Sequence, residues 1–242
     1  MGRAFEYRKA RKMKRWAGMA KAFTKVGREI NIAIKEGGPD PDYNPRLRLA
    51  IANAKAVNMP KANVDAAIKR ATDKDSTNYD EVTFEGYGPH GIAIIVEATS
   101  DNNNRTVANI RHVFSKYGGS LGVNGSVDYM FSRKGEFRVK QENLKQDLDE
   151  IELELIDAGL DSVEQDEDEV VFYTAYEDFG QFQQGLEERN IEVDNAALVR
   201  IPSHTKTLSD SEAEAVIKLI DMLEEDDDVA NVFHNMDENE EG

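Results

Sequence analysis

The spacing of apolar residues changes once along this 242-residue chain, near residue 78, and the change excludes a single uniform architecture. Before it the spacing is helical. Phe23, Val26, Ile30 and Ile34 recur at three- and four-residue intervals, and Gly37, Gly38 and the prolines behind them stop the run. Asn44 then supplies a cap, with Pro45 at the first helical position. Leu47, Ala50, Ile51, Ala54 and Val57 share a face after it. Pro60 interrupts, and Val64, Ile68 and Ala71 mark a third helix. Three short amphipathic helices predict a small bundle over residues 1–78, with the polar stretch 73–80 as a linker.

After the linker, strands and helices alternate. Residues 82–85 and 92–98 are predicted strands, the second a nearly continuous β-branched run. The turn 101–104 offers an N-cap. Val107, Ile110, Val113, Phe114 and Tyr117 then mark a helix that Gly118 ends, and 127–131 reads as a strand. From about 134 the order is strand (137–140), helix (Leu144 to Leu155, closed by Gly159), strands at Val163 and 170–175, helix (Phe179, Phe182, Leu186) and strand (191–193). That is the β-α-β-β-α-β order of a ferredoxin-like unit. A strand at 197–201, a helix opened by the capping box Ser209 to Glu212, and a strand at 229–233 follow. Joined to the elements of 92–131, they give the same order again. The predicted class is therefore α+β. It has an N-terminal three-helix domain (1–78), a discontinuous ferredoxin-like domain (79–132 and 196–242), and a second ferredoxin-like domain inserted into it (133–195).

Charge divides at the same place. Residues 1–78 hold 18 Lys+Arg and 8 Asp+Glu, a net +10, while 79–242 carry −27, for −17 overall. Residues 1–35 alone hold 11 Lys+Arg against Glu6 and Glu29. Arg8, Arg11 or Lys12, and Arg15 would form one cationic stripe on a helix. Close positive charges bind phosphates by releasing counterions. Phe5, Tyr7, Trp16 and Phe23 are interleaved and suit stacking on bases. The competing account is a solvated basic face with the aromatics packed inward, but so few anions among so many cations, in an acidic chain, is unusual for that. The candidate nucleic-acid contacts are Arg8, Lys9, Arg11, Lys12, Lys14 and Arg15, with Lys21, Lys25 and Arg28 extending the patch. Phosphate contacts do not distinguish DNA from RNA.

Other features carry no chemistry of their own. The absence of cysteine removes disulfides, zinc–thiolate sites and cysteine nucleophiles, and fits a reducing, cytoplasmic setting. The longest apolar run, about 92–96, is too short for a membrane span. Gly86, Gly88 and Gly91 match G-x-G-x-x-G, but a strand follows and Pro89 has no N–H to offer a pyrophosphate, so a turn between strands is predicted. The glycines at 118, 119, 122 and 125 follow a helix and read as a flexible connection. His90, His112, His204 and His234 show no metal-ligand spacing. No catalytic residue, metal or cofactor is predicted. The acidic run 224–228 sits at a predicted helix C-terminus, the unfavourable end for negative charge. It reads as solvated charge, with a divalent cation as the minor alternative.

Several segments together resemble the YebC family: Pro45-Arg-Leu-Arg-Leu-Ala-Ile51, Asn58-Met-Pro-Lys61, Ala67-Ile-Lys-Arg70, Phe84-Glu-Gly-Tyr-Gly-Pro89, Asp101-Asn-Asn-Asn-Arg-Thr106 and Gly125-Ser-Val127. Met130-Phe131, Arg133-Lys-Gly135, Glu177-Asp-Phe179 and Val232-Phe-His-Asn235 extend the likeness over nearly the whole chain. The resemblance implies a helical N-terminal domain, two α+β domains and no catalytic residues. It also implies either a DNA-binding transcriptional regulator or a translation factor that meets RNA at the ribosome. The basic N-terminal stretch runs into these segments without a break and is read as mature protein. One departure is the start, Gly2-Arg-Ala-Phe-Glu-Tyr-Arg-Lys9, where bacterial family members typically resemble Ala-Gly-His-Ser-Lys-Trp. The expected partners are nucleic acid (DNA, or ribosomal RNA) and a basic protein docked on the acidic domains. A third possibility gives the basic head a protein partner only.

Overall fold

The computed structural model describes residues 19–73, 76–165 and 168–237. Three helices come first: α1 (Met19–Gly37), α2 (Pro45–Ala56) and α3 (Lys61–Thr72). Local chemistry sets their ends. The Asn44 side chain accepts the Leu47 amide at 3.0 Å and donates to the Ala33 carbonyl at 2.7 Å, so one residue caps α2 and ties it to α1. The periodic apolar residues Val26, Ile30, Ile34, Leu47, Ala50, Ala54, Val64, Ala67 and Ala71 meet in one buried core.

Two antiparallel four-stranded sheets follow, giving the α+β class. The outer domain contains β1 (Asp80–Tyr87), β2 (Ala93–Ser100), α4 (Asn103–Lys116) and the two-residue β3 (Ser120–Leu121). The inner domain contains β4 (Phe131–Lys140), α5 (Leu148–Leu155), β5 (Leu160–Gln165), β6 (Glu169–Ala175), α6 (Phe179–Glu188) and β7 (Asn195–Pro202). The chain then returns to the outer domain with α7 (Asp210–Glu224) and β8 (Val229–His234). The outer sheet runs β3-β1-β2-β8 and the inner sheet β5-β6-β4-β7. The inner order, with one helix after its first strand and one after its third, is that of a ferredoxin-like unit.

Three strand assignments differ from the expectation. Residues 127–131 do not form an outer-domain strand. The Glu85 carboxylate accepts the amides of Val127 and Asp128 at 2.8 Å each, so those groups cannot join a ladder, and 128–130 make a short turn of 3-10 helix. The outer sheet takes β3 instead. The strand expected at 191–193 begins at Asn195. It is the same strand that was expected at 197–201 to return to the outer domain. It pairs with β4 from Phe131↔Pro202 to Arg138↔Asn195 and closes the inner sheet. β4 and β7, far apart in sequence, are therefore neighbours in the inner sheet, and the outer sheet opens with the β1–β2 hairpin.

The β-branched run in β2 is buried on both faces, as its composition requires. Ile94 and Val96 face the core formed with Ile110 and Phe114 of α4 and with Leu219, Ile220 and Leu223 of α7. Ala93 and Ile95 face the other way, onto Val127 and Phe131, where the two sheet domains meet. The glycine pattern at 86–91 is the predicted turn. A Cβ on Gly86 would lie 2.6 Å from the Ser120 carbonyl, so the residue is there to let β3 approach β1.

Candidate nucleic-acid interface

Arg8, Lys9, Arg11, Lys12, Lys14 and Arg15 lie outside the described residues. Lys21, Lys25 and Arg28 lie on α1 at spacings of four and three, which puts them on one helix face. That face is turned toward the protein's own acidic run. Lys21 donates to the Glu225 carbonyl at 2.7 Å, and Lys25 helps line a hole of about 10 Å³ with Glu29, Asp227 and Asp228. The Arg28 guanidinium reaches the carbonyls of Thr99 (2.8 Å) and Asp227 (2.7 Å) and the Asp228 carboxylate (3.0 Å), with the Tyr79 ring 5.3 Å away.

Asp228 is the centre of this joint. Its carboxylate also accepts from Arg105 (2.8 Å), Thr106 (2.7 Å) and Ser100 (3.2 Å), and its side chain is only 5% exposed. Burial works to raise its pKa, but hydrogen bonds from Arg105, Thr106 and Arg28 outweigh it and hold the group below the ordinary carboxylate value. So the acidic run at the end of α7 is neither idle solvated charge nor an open cation site. Its carbonyls and one carboxylate hold the helical domain against the outer sheet, and the cations at a helix C-terminus are the favourable sign there.

Sequence reasoning passed over other cations of the helical domain. Lys55 of α2 and Lys61 and Lys69 of α3 are exposed and pair with no carboxylate of the described residues, and Arg70 beside them is exposed too. Their signal was present, because the segments around 58–61 and 67–70 had already been singled out. By contrast Arg46 is committed to Glu36 (2.7 Å) and Glu81 (2.5 Å), a second tie between the bundle and the outer sheet.

Exposed aromatics on the sheet domains were also missed. The glycine-rich connection is not loose. Glu85 is buried and accepts the amides of Gly125, Val127 and Asp128 at 2.6–2.8 Å. Burial would raise its pKa, yet those three amides and the Arg200 charge bring it below the usual range. Gly125 adopts φ +83, a conformation that favours glycine. The pinned loop leaves Tyr129 75% and Val123 77% exposed. On the inner domain the Arg133 guanidinium lies 4.7 Å from the centre of the partly exposed Tyr176 ring, a planar cation stacked on an aromatic.

The profile of the TACO1/YebC protein N-terminal domain matches residues 3–74, and that of the TACO1/YebC second and third domain matches 79–236. The chain belongs to the TACO1/YebC family. A relative from Flavobacterium psychrophilum, named a probable transcriptional regulatory protein, is 55% identical over 98% of this chain and 100% of its own. One of the same description from Porphyromonas gingivalis is 54% identical over 99% of both chains. The crystal structure of a conserved hypothetical protein from Aquifex aeolicus superposes with a TM-score of 0.79 at 39% identity, covering 90% of each chain. In this TACO1/YebC chain, the segments that carry the family resemblance hold joints of the fold. Asn58 takes φ +57 between α2 and α3, Asn102 caps α4 through the Arg105 amide, Arg105 meets Asp228, and Gly125 meets Glu85.

Proposed function

We propose that this protein is a cytoplasmic, non-enzymatic regulator of gene expression that binds nucleic acid through its basic N-terminal end. The charge segregation carries this reading: 11 Lys+Arg against two carboxylates in residues 1–35 of a chain whose net charge is −17. Arg8, Lys9, Arg11, Lys12, Lys14 and Arg15 are the principal contacts to phosphate. Lys55, Lys61, Lys69 and Arg70 add exposed positive charge to the same domain. Lys21 and Arg28 anchor α1 to the outer domain, with Lys25 beside them. The acidic domains repel stray nucleic acid and leave their own surface to a basic protein partner.

The first target is DNA, in a transcriptional regulator, the description its relatives carry. The second reading is a translation factor on ribosomal RNA, whose phosphates the same N-terminal cations would meet, since phosphate contacts do not distinguish RNA from DNA.

Reversing Arg11, Lys12 and Arg15 to glutamate should abolish binding of duplex DNA and of RNA in a filter or gel-shift assay while leaving the circular-dichroism spectrum intact. Wild-type affinity should fall with salt at a log–log slope of about −0.9 per phosphate neutralised on duplex DNA. A flat salt response would refute the electrostatic mechanism. Sedimentation of the full chain from lysate, with and without RNase, separates the targets, since RNase-sensitive migration with ribosomal particles selects the second.

A further inference from the structure

The inner domain is strongly acidic. Residues 133–195 hold 6 Lys+Arg and 20 Asp+Glu, and from 146 to 188 there is no Lys or Arg at all. Within that stretch α5 turns Ile151 and Leu155 into the core, as its helical spacing requires. Leu153 and Ile156, three residues apart on the other face, are 71% and 57% exposed. Two large aliphatic side chains side by side in solvent have no role in this domain's own packing. They line a groove of about 420 Å³ that continues over Leu160 and Val163 of β5, the edge strand of the inner sheet.

The rim of the groove is acidic. Asp149, Glu152 and Asp161 line it. Lys134 of β4 reaches Asp161 and offsets that charge, and Arg189 similarly holds Glu154 nearby at 3.2 Å. Asp149, Glu150 and Glu152 have no such cation among the described residues. Asp149 and Glu150 also suit the first turn of α5, whose amides favour negative charge, but that accounts for neither Glu152 nor the exposed Leu153 and Ile156.

We infer that the α5–β5 groove of the inner domain docks a basic protein segment whose apolar side chains seat on Leu153 and Ile156 while its lysines or arginines meet Asp149 and Glu152. Charge complementarity selects this occupant. A second copy would bring its own acidic rim against this one, and a nucleic acid would be repelled. The register of β5 against β6 shifts between Leu160 and Ser162, an irregularity at the start of this edge strand that disfavours strand pairing there and leaves recognition to side chains. The inference sharpens the part of the proposal that assigns a basic partner to the acidic domains, and is separate from the nucleic-acid part.

The test uses the full chain and a short acetylated, amidated peptide in which lysines alternate with leucines. Binding is read by fluorescence anisotropy and by amide chemical shifts. Wild type should bind, with shifts centred on α5 and β5, and the same peptide with glutamate for lysine should not. Leu153→Glu, a surface change that leaves the core intact, should weaken binding about tenfold, as should Asp149→Lys combined with Glu152→Lys. Reversing Arg11, Lys12 and Arg15 to glutamate, which should abolish nucleic-acid binding, should leave peptide binding at the groove in place. If the peptide binds with equal affinity to wild type and to both groove variants, the groove is not the site, although a basic partner elsewhere on the acidic domains survives. If no peptide binds, both the groove and that partner fall. A concentration-dependent dimer in sedimentation equilibrium that Leu153→Glu abolishes would hand the groove to a second copy and overturn the inference. So would α5–β5 shifts on reversing Arg11, Lys12 and Arg15 in the absence of peptide, since the chain's own head would then be the occupant.

Discussion

The acidic runs at 224–228 and at 146–169 look alike as sequence, and the fold uses them differently. The first lies at the end of α7, where Asp228 is buried under two arginines, a threonine and a serine, and the neighbouring carbonyls hold Lys21 and Arg28. The second lies along α5 and β5, with several carboxylates left facing water around two exposed aliphatic residues. Charge count is therefore a poor guide to role. What separates the two is whether opposing groups from another domain surround the carboxylate, because only then is removing it costly.

That contrast can be broken by stability measurements. Asp228→Ala removes the carboxylate that Arg28, Arg105 and Thr106 share and should cost about 3 kcal/mol in urea denaturation. Glu152→Ala on the exposed rim should stay within about 0.5 kcal/mol of wild type. Equal effects would collapse the comparison. Glu85→Gln comes next, at about 2 kcal/mol, because a carboxylate accepting three amides is exchanged for a group with one oxygen. Hydrogen exchange should show the Gly125, Val127 and Asp128 amides opening faster, and an unchanged pattern would mean the loop is held by something else.

Acid should sharpen the same difference. The Asp228 and Glu85 pKa values lie below the ordinary 3.8 and 4.5 in the folded chain. Their stabilisation is full above those ordinary values and is lost as pH falls through the lower folded ones. The gap between wild type and Asp228→Ala should therefore begin to narrow as pH falls below about 3.8 and close only past the lower folded value, and a gap that does not change with pH across that range would refute the ionised-carboxylate account.

Glu29 runs the opposite way, with a small effect. Burial raises its pKa above 4.5 despite Arg46 and Asn53, so stability declines as pH rises from 4.5 through the folded value. Glu29→Gln should raise stability at neutral pH by less than about 1 kcal/mol, with no gain in acid. A loss at neutral pH would show that the ionised form is the one the joint needs.

The sequence by itself determined whatever depends on near neighbours. Apolar residues three and four apart placed α1 to α3, and the caps at Asn44, Asn102 and Ser209 each act within three residues. The β-branched run of β2 announced a strand, and the charge split and the family segments were also plain. Tertiary structure alone decided which sheet β7 would join, that Glu85 would take the amides of 127–128 from a would-be strand, and that Arg28 would meet Asp228 two hundred residues away. Helix formation and capping are satisfied inside one stretch of chain, whereas strand pairing and buried ion pairs depend on groups that only the folded chain brings together.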